Sequence, residues 1–277
     1  MMTNDNFPYL GLKASTDPAQ IAERLRYSPT VFEFFTTPAD CTPAGLNHLQ
    51  KMIEWVQHTT HRIVIHHPMS YRGHHVEVST PARIDPAMAQ FVTTSTQDLL
   101  KVAREMDVQL LIHGSYNAPV QTINAEFGDV ATGRQAVLDE LDHWRDVGGD
   151  HIMFENSISP IYPYSDPVFN QAILAHHYRL AFDTSHTFIA AHGNNDVLVA
   201  SLQQLAPAIV HYHLVDSMGQ FHDSLPLGQG RIDWARVWPT LNQTATNIYE
   251  ITLANQLDST AQRASHTYLE HIKAAAK

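Results

Sequence analysis

Residues 178–186 read Tyr178-Arg179-Leu180-Ala181-Phe182-Asp183-Thr184-Ser185-His186. An apolar run of strand length ends on a carboxylate, and a histidine follows three residues later. The same cadence recurs on both sides. Upstream, Arg62–His67 ends in His66-His67-Pro68, Val108–His113 ends in His113-Gly114, and His151–Glu155 ends in Glu155-Asn156. Downstream, Ile209–Leu214 carries His211-Tyr212-His213 with Asp216 beyond it, and Ile248-Tyr249 runs into Glu250 within a strand expected over Asn247–Thr252. Tyr9–Ala14 and Thr30–Phe35 are two earlier strand candidates, the second holding Glu33 near its end.

Helical patterns separate these runs. They cover the region after Asp17-Pro18, then Pro43–His58, Pro86–Met106, Gly133–Val147, Asp166–His177, Asn194–Leu205, Asp233–Leu241 and the end of the chain from about Gln256. Asp17 before Pro18 reads as an N-cap with proline in the first turn, and Gly148-Gly149 as a helix stop. Eight strand–helix units at intervals of about 30 residues imply parallel strands, because parallel neighbours need a crossover. The expectation is one α/β domain over residues 1–277, a single (β/α)8 TIM barrel with its active site at the C-terminal ends of the strands. A doubly wound open sheet is the alternative. Met69–Asp85, with Arg72, Gly73, His74 and His75, is a long polar loop expected to act as a lid or binding loop.

Composition narrows the function. The 277 residues carry 17 Lys and Arg against 28 Asp and Glu, a formal charge of -11. That balance lacks the basic footprint of a protein that neutralises a phosphate backbone, so nucleic acid is disfavoured. The one cysteine, Cys41, cannot form an internal disulfide. No apolar run approaches the roughly 20 residues of a membrane span. The opening Met-Met-Thr-Asn-Asp-Asn has no basic or apolar signal-peptide character, so a cytoplasmic protein is expected. The 19 histidines outnumber all Lys and Arg. His66, His74, His75, His176, His177 and His192 read as surface residues.

Six successive strands thus end in a His, Asp or Glu. Alternation along each strand lets the last side chain face the barrel axis while its apolar neighbour packs outward. Several carboxylates at one level repel, and a divalent cation relieves that repulsion. A mixed oxygen and nitrogen set suits Mn, Zn, Co or Mg. The constellation is read as a metal site.

The motifs resemble those of the xylose isomerase-like TIM-barrel superfamily. That group includes sugar isomerases and epimerases, hydroxypyruvate isomerase, inosose dehydratase and endonuclease IV. Phe182-Asp183-Thr184-Ser185-His186 is similar to its Asp-x-x-His, and His213-Leu214-Val215-Asp216 to its His-x-x-Asp. Leu225–Trp234 is close to the Gly-x-Gly-x-Ile-Asp-Trp loop of epimerase-like members. The resemblance implies four metal ligands, Glu155, Asp183, His213 and Glu250. It implies Glu155 and Glu250 as acid–base pair and His186 as a substrate or second-metal contact. His67 and His113 fall where endonuclease IV has additional zinc histidines, and His222 and Asp216 are further metal or substrate candidates. The nuclease Asp-x-His pattern is broken here, since His222 and Ser224 stand at its two positions.

The implied activity is that of a divalent-metal-dependent sugar isomerase or epimerase working on a ketose or related polyol through an enediolate. Mn2+ or Zn2+ is the expected cofactor, with Mg2+ and Co2+ as alternatives. A metal-dependent dehydratase, an endonuclease IV-like phosphoester hydrolase and a non-catalytic sugar- or metal-binding relative are the competing readings. The expected partner is a small carbohydrate, with no membrane and with homo-oligomers allowed. Arg72, Arg231 and the backbone N–H groups of Gly228-Gln229-Gly230 are the candidates for an anion, each also readable as structural. Asn156 reads as an orienting or turn residue, and Trp234 and Trp238 as core.

Overall fold

The structure is a computed structural model, and it describes residues 7–276. The opening residues used above for the signal-peptide reading lie outside the described residues. Ten strands occur among the described residues: β1 (Gly11–Ala14), β2 (Val31–Phe35), β3 (Ile63–His66), β4 (Ser70–Tyr71), β5 (His74–His75), β6 (Gln109–His113), β7 (Ile152–Glu155), β8 (Leu180–Asp183), β9 (Ile209–Leu214) and β10 (Thr246–Tyr249). All but β4 and β5 form one parallel sheet in the order β1-β2-β3-β6-β7-β8-β9-β10. The last strand returns to the first. The Asn247 side chain accepts from Tyr9 N at 2.8 Å and donates to Tyr9 O at 3.0 Å. A methyl group on Gly11 would lie 1.8 Å from Asn247 O, so only glycine lets the two edges meet. The sheet is a nearly closed barrel, which removes the open-sheet alternative.

Local chemistry sets the helices around it. Asp17, Thr42, Asp85 and Asp166 each cap a helix through the side chain, and each precedes a proline at the first turn. Two helices were not legible as separate elements, Val120–Phe127 and Thr184–Ala190. The second starts directly at the end of β8, with Asp183 as its N-cap.

Alternation inside the strands builds the site. Val64, Leu111, Met153 and Ala181 form a small apolar cluster of their own, apart from the main core between sheet and helices. They are the inward residues of four adjacent strands. Two residues further along each strand stand His66, His113, Glu155 and Asp183, all buried. The residues between, Ile65, Ile112, Phe154 and Phe182, belong to the main core. An apolar plug therefore underlies a polar layer.

The Met69–Asp85 segment contains the β4–β5 hairpin and is fastened down. Tyr71 stacks on Phe91 at 4.1 Å, and Val76 and Val78 are buried. The Glu77 carboxylate accepts from Ser115 Oγ at 2.6 Å, Tyr116 N at 3.0 Å and Asn117 N at 3.1 Å. These ties oppose a free-swinging lid.

A candidate metal centre at the C-terminal end of the barrel

Glu155, Asp183, His213 and Glu250 each place a ligand atom so that all four lie within 4.8 Å of one another. His213 Nδ1 is 2.9 Å from Glu155 Oε1 and 2.6 Å from Glu250 Oε2. Donors about 2.1 Å from one ion stand roughly 3–4.2 Å apart, so the group has the size of a coordination sphere.

The polar atoms also have the character of ligands. Both Glu155 oxygens, Asp183 Oδ2 and His213 Nδ1 are buried without a hydrogen-bond partner, despite these close approaches. His66 sharpens the point. Its Nδ1 donates to the His67 carbonyl at 2.8 Å, since a carbonyl can only accept. Its Nε2, buried without a hydrogen-bond partner, points at Glu155 Oε2, 3.3 Å away. A cation between two such unpartnered groups satisfies both. The donor set fits a divalent metal.

Further polar groups surround these four. His113 Nε2 lies 3.2 Å from Glu155 Oε2. His186 Nδ1 donates to the Asn156 carbonyl at 3.0 Å, leaving Nε2 at 3.2 Å from His222 Nε2. His222 sits at the exposed rim beside Ser224. Asp183 has a double role. Its Oδ1 accepts from His186 N at 2.7 Å as a helix cap, while Oδ2 is free for a ligand. Asn156 orients it, accepting from Asp183 N at 2.7 Å and donating to Asp183 O at 3.0 Å.

Electrostatics follow from burial and charge together. Burial opposes ionisation of Glu155 and Glu250, but His113 and His213 beside the first, and His213 and Lys13 beside the second, hold both carboxyls well below their ordinary range. Burial likewise works against charge on His213, and the Glu155, Glu250 and Glu33 carboxylates outweigh it and raise its pKa well above normal. Asp183 is raised, by burial first and by Glu155 and Glu250 as well, against the pull of His186. Burial pushes His113 down to about 3.

Several expectations need correction. His67 does not join the layer. Its Nδ1 faces Pro68 O at 3.2 Å and its Nε2 faces Ser95 Oγ at 2.7 Å. Its neighbour His66, read as a surface residue, is wholly buried against Glu155 instead. Alternation sends residue 66 inward and residue 67 outward. Asp216, read as a ligand or substrate contact, is instead engaged by the loop that follows it. Its oxygens accept from Ser217 N at 2.8 Å, Gly228 N at 2.8 Å, Ile232 N at 3.1 Å and Trp234 Nε1 at 3.0 Å. Gly228 N is thereby taken from any anion, and Arg72 and Arg231 are exposed. Trp234 and Trp238 are buried, as read.

Two residues escaped the sequence reading. Lys13 Nζ lies 3.0 Å from Glu33 Oε1 and also contacts Glu250 Oε1. Tyr116 packs edge-on against His113, ring centres 5.1 Å apart. A polar residue amid the apolar Gly11–Ala14 was the available signal for Lys13. Glu33, a minor candidate before, is fully buried against His213 and His211. A cavity of about 270 Å3 opens above the cluster, lined by Lys13, Phe35, Met69, Tyr116, His222 and Glu250 among others. A larger depression of about 770 Å3, lined by Arg134, Pro160, Asp166 and His192, contains none of the cluster.

The chain folds as an α/β TIM barrel, and a family model described as a xylose isomerase-like TIM barrel matches residues 169–272. The fold of the whole described chain agrees. A D-tagatose 3-epimerase-like protein is 17% identical with a TM-score of 0.69, covering 96% of this chain and 99% of that one. A Thermus thermophilus protein soaked with zinc chloride is 16% identical with a TM-score of 0.65, covering 96% and 98%. The D-allulose 3-epimerase from Methylomonas sp., solved with D-allulose, is 16% identical with a TM-score of 0.64, covering 95% and 96%. No curated protein matches in sequence. Among the described residues, no helix is long and apolar enough to cross a membrane.

Proposed function

We propose that this chain is a divalent-metal-dependent sugar isomerase or epimerase acting on a ketose or related polyol. One observation carries the reading. Glu155 and Glu250 flank His213 Nδ1 at 2.9 and 2.6 Å, joined by Asp183, beneath a cavity of about 270 Å3. That volume lies just below the roughly 300–1,000 Å3 of sites for drug-sized ligands and suits a monosaccharide. The solved structures of like fold include a 3-epimerase bound to D-allulose and a protein soaked with zinc, which favours the same chemistry here.

Glu155, Asp183, His213 and Glu250 would hold the ion. When bound, it supplies Lewis-acid polarisation of a carbonyl and stabilises enediolate charge. One of Glu155 and Glu250 takes the carbon-bound proton beside the carbonyl, and the other returns a proton from the opposite face. His186, fixed through its Nδ1–H, presents Nε2 to a substrate hydroxyl. Mn2+ or Zn2+ is the cofactor proposed for this mixed set.

A metal-dependent phosphoester hydrolase is the second reading. Its support is that His66, His113 and His186 all stand within 3.8 Å of Glu155, enough donors for more than one ion. Ser224 in place of a nuclease histidine and the charge of -11 weigh against it.

The test is proton exchange in D2O on a panel of ketoses with Mn2+ or Zn2+ supplied. Deuterium should enter the carbon beside the carbonyl and the epimer should accumulate. Glu155→Gln and Glu250→Gln should each lower the rate by about 10^3-fold. Full activity in either variant would overturn the assignment, and zinc-dependent cleavage of abasic duplex DNA would favour the hydrolase.

A further inference from the structure

We propose that Glu33 is a positioning residue that presets His213 as a metal ligand through Nδ1, with Lys13 as the fixed countercharge that ties it to Glu250. The inference rests on the metal-site reading above and concerns residues one layer beneath it. Glu33 is paired in register with Val64, below the level of His66. Its Oε2 receives two imidazoles, His213 Nε2 at 2.9 Å and His211 Nε2 at 3.2 Å. All three side chains are completely buried.

The proton positions follow from the partners. His211 Nδ1 faces the Thr246 hydroxyl at 2.6 Å, which can donate to it, so Nε2 carries the proton given to Glu33. A carboxylate can only accept, so His213 also offers Nε2–H to Glu33. With Nε2–H held by Glu33, any proton that a cation displaces from the ring is the one on Nδ1, and the lone pair it frees faces Glu155 and Glu250. An imidazole without this acceptor could place its proton on either nitrogen, and half of those states would be unable to ligate. A carboxylate behind a ligating histidine fixes both tautomer and ring orientation.

Lys13 joins the two halves. Its Nζ lies 3.0 Å from Glu33 Oε1 and also contacts Glu250 Oε1. Glu250 Oε2, not Oε1, is then the oxygen that faces His213. The lysine thereby pins a second ligand by its outer oxygen and balances the negative charge that Glu33 adds below the site.

Two measurements test this. The first needs no substitution: nitrogen NMR of histidine-labelled protein loaded with zinc. His213 should retain its proton on Nε2 and show a metal-bound shift at Nδ1. Zinc on Nε2, or a proton on Nδ1, overturns the proposal. The second is the Co2+ dissociation constant, read from the visible cobalt spectrum, for the unsubstituted chain, Glu33→Gln and Lys13→Met. Glu33→Gln should weaken cobalt by about 10–100-fold. Lys13→Met should alter the cobalt spectrum, because the outer oxygen of Glu250 is released. Unchanged affinity in Glu33→Gln with an unchanged spectrum in Lys13→Met overturns the positioning role. No cobalt or zinc binding by the unsubstituted chain instead overturns the metal-site reading itself.

Discussion

Asp216 and Glu155 are both buried carboxylates at the C-terminal side of the barrel, and their surroundings differ completely. Asp216 sits in a cradle of four N–H donors contributed by the Ser217–Trp234 loop. Glu155 sits among His66, His113 and His213, with both oxygens lacking a hydrogen-bond partner. Burying a carboxylate is costly unless donors replace the lost water. Asp216 has them, so it stabilises a loop. Glu155 does not, so it is suited to a ligand that brings its own positive charge. Burial of charge alone does not separate the two residues; the count of satisfied oxygens does.

Substitutions at the two positions should therefore have opposite profiles. Glu155→Gln should remove about three orders of magnitude of turnover and lower the thermal midpoint of the metal-free protein less than a substitution at Asp216 does. A lowered midpoint with intact turnover would reverse the two roles. Asp216→Ala should do the converse. Leaving its donors unpaired should cost about 3 kcal/mol, a drop of roughly 6–12 °C in midpoint for a chain of this size. Its metal stoichiometry should be preserved, and loss of metal without loss of stability would return Asp216 to the site.

A smaller effect is expected from the loop glycine that abuts the same carboxylate. A methyl group on Gly230 would meet Asp216 Oδ1 at 2.2 Å and Ser217 O at 2.5 Å. Neither neighbour is the end of a flexible chain, so Gly230→Ala should destabilise by about 2 kcal/mol. A neutral result in thermal denaturation would mean that the Asp216 cradle tolerates movement. The smallest effect should be a gain. Asp183→Asn keeps the Oδ1 that caps the following helix and removes a charge facing Glu155 and Glu250. The metal-free protein should gain roughly 1 kcal/mol, seen as a midpoint higher by about 2–4 °C. A fall in midpoint would show that Asp183 is satisfied in a way its unpartnered Oδ2 does not reveal.

The fold was legible because it follows from periodicity. Apolar runs ending in a polar residue, separated by capped helices, leave a parallel closed sheet as the compact solution. Strand β9 and the helix Pro86–Met106 coincide with the expected ranges. The helices Val120–Phe127 and Thr184–Ala190 were missed. The first is flanked by Pro119 and Gly128 and has no side-chain cap, and the second is a short extension of a strand end. Neither carries an amphipathic period long enough to register.

The candidate site was legible by type more than by partner. A polar residue at or near the end of each of six strands marked the level of the site, and the family resemblance picked out Glu155, Asp183, His213 and Glu250 within it. His66 and His67 could not be ranked from their adjacency, since one residue of register decides which ring enters the barrel. Asp216 read as a further metal or substrate candidate, and only the return of residues 228–234 over it supplies three of its four donors.

By itself, then, the amino-acid order determined the parallel barrel and the accumulation of carboxylates and imidazoles at one end of it. Both are local properties of strand composition and chain period. Tertiary structure alone decided which of those groups meet. Lys13, Glu33 and Glu250 are brought together because the barrel closes on itself, setting residue 13 beside residue 250. Contacts across 237 positions of sequence leave no periodic trace, because they are made by closure of the sheet and not by any property of the segments that carry them.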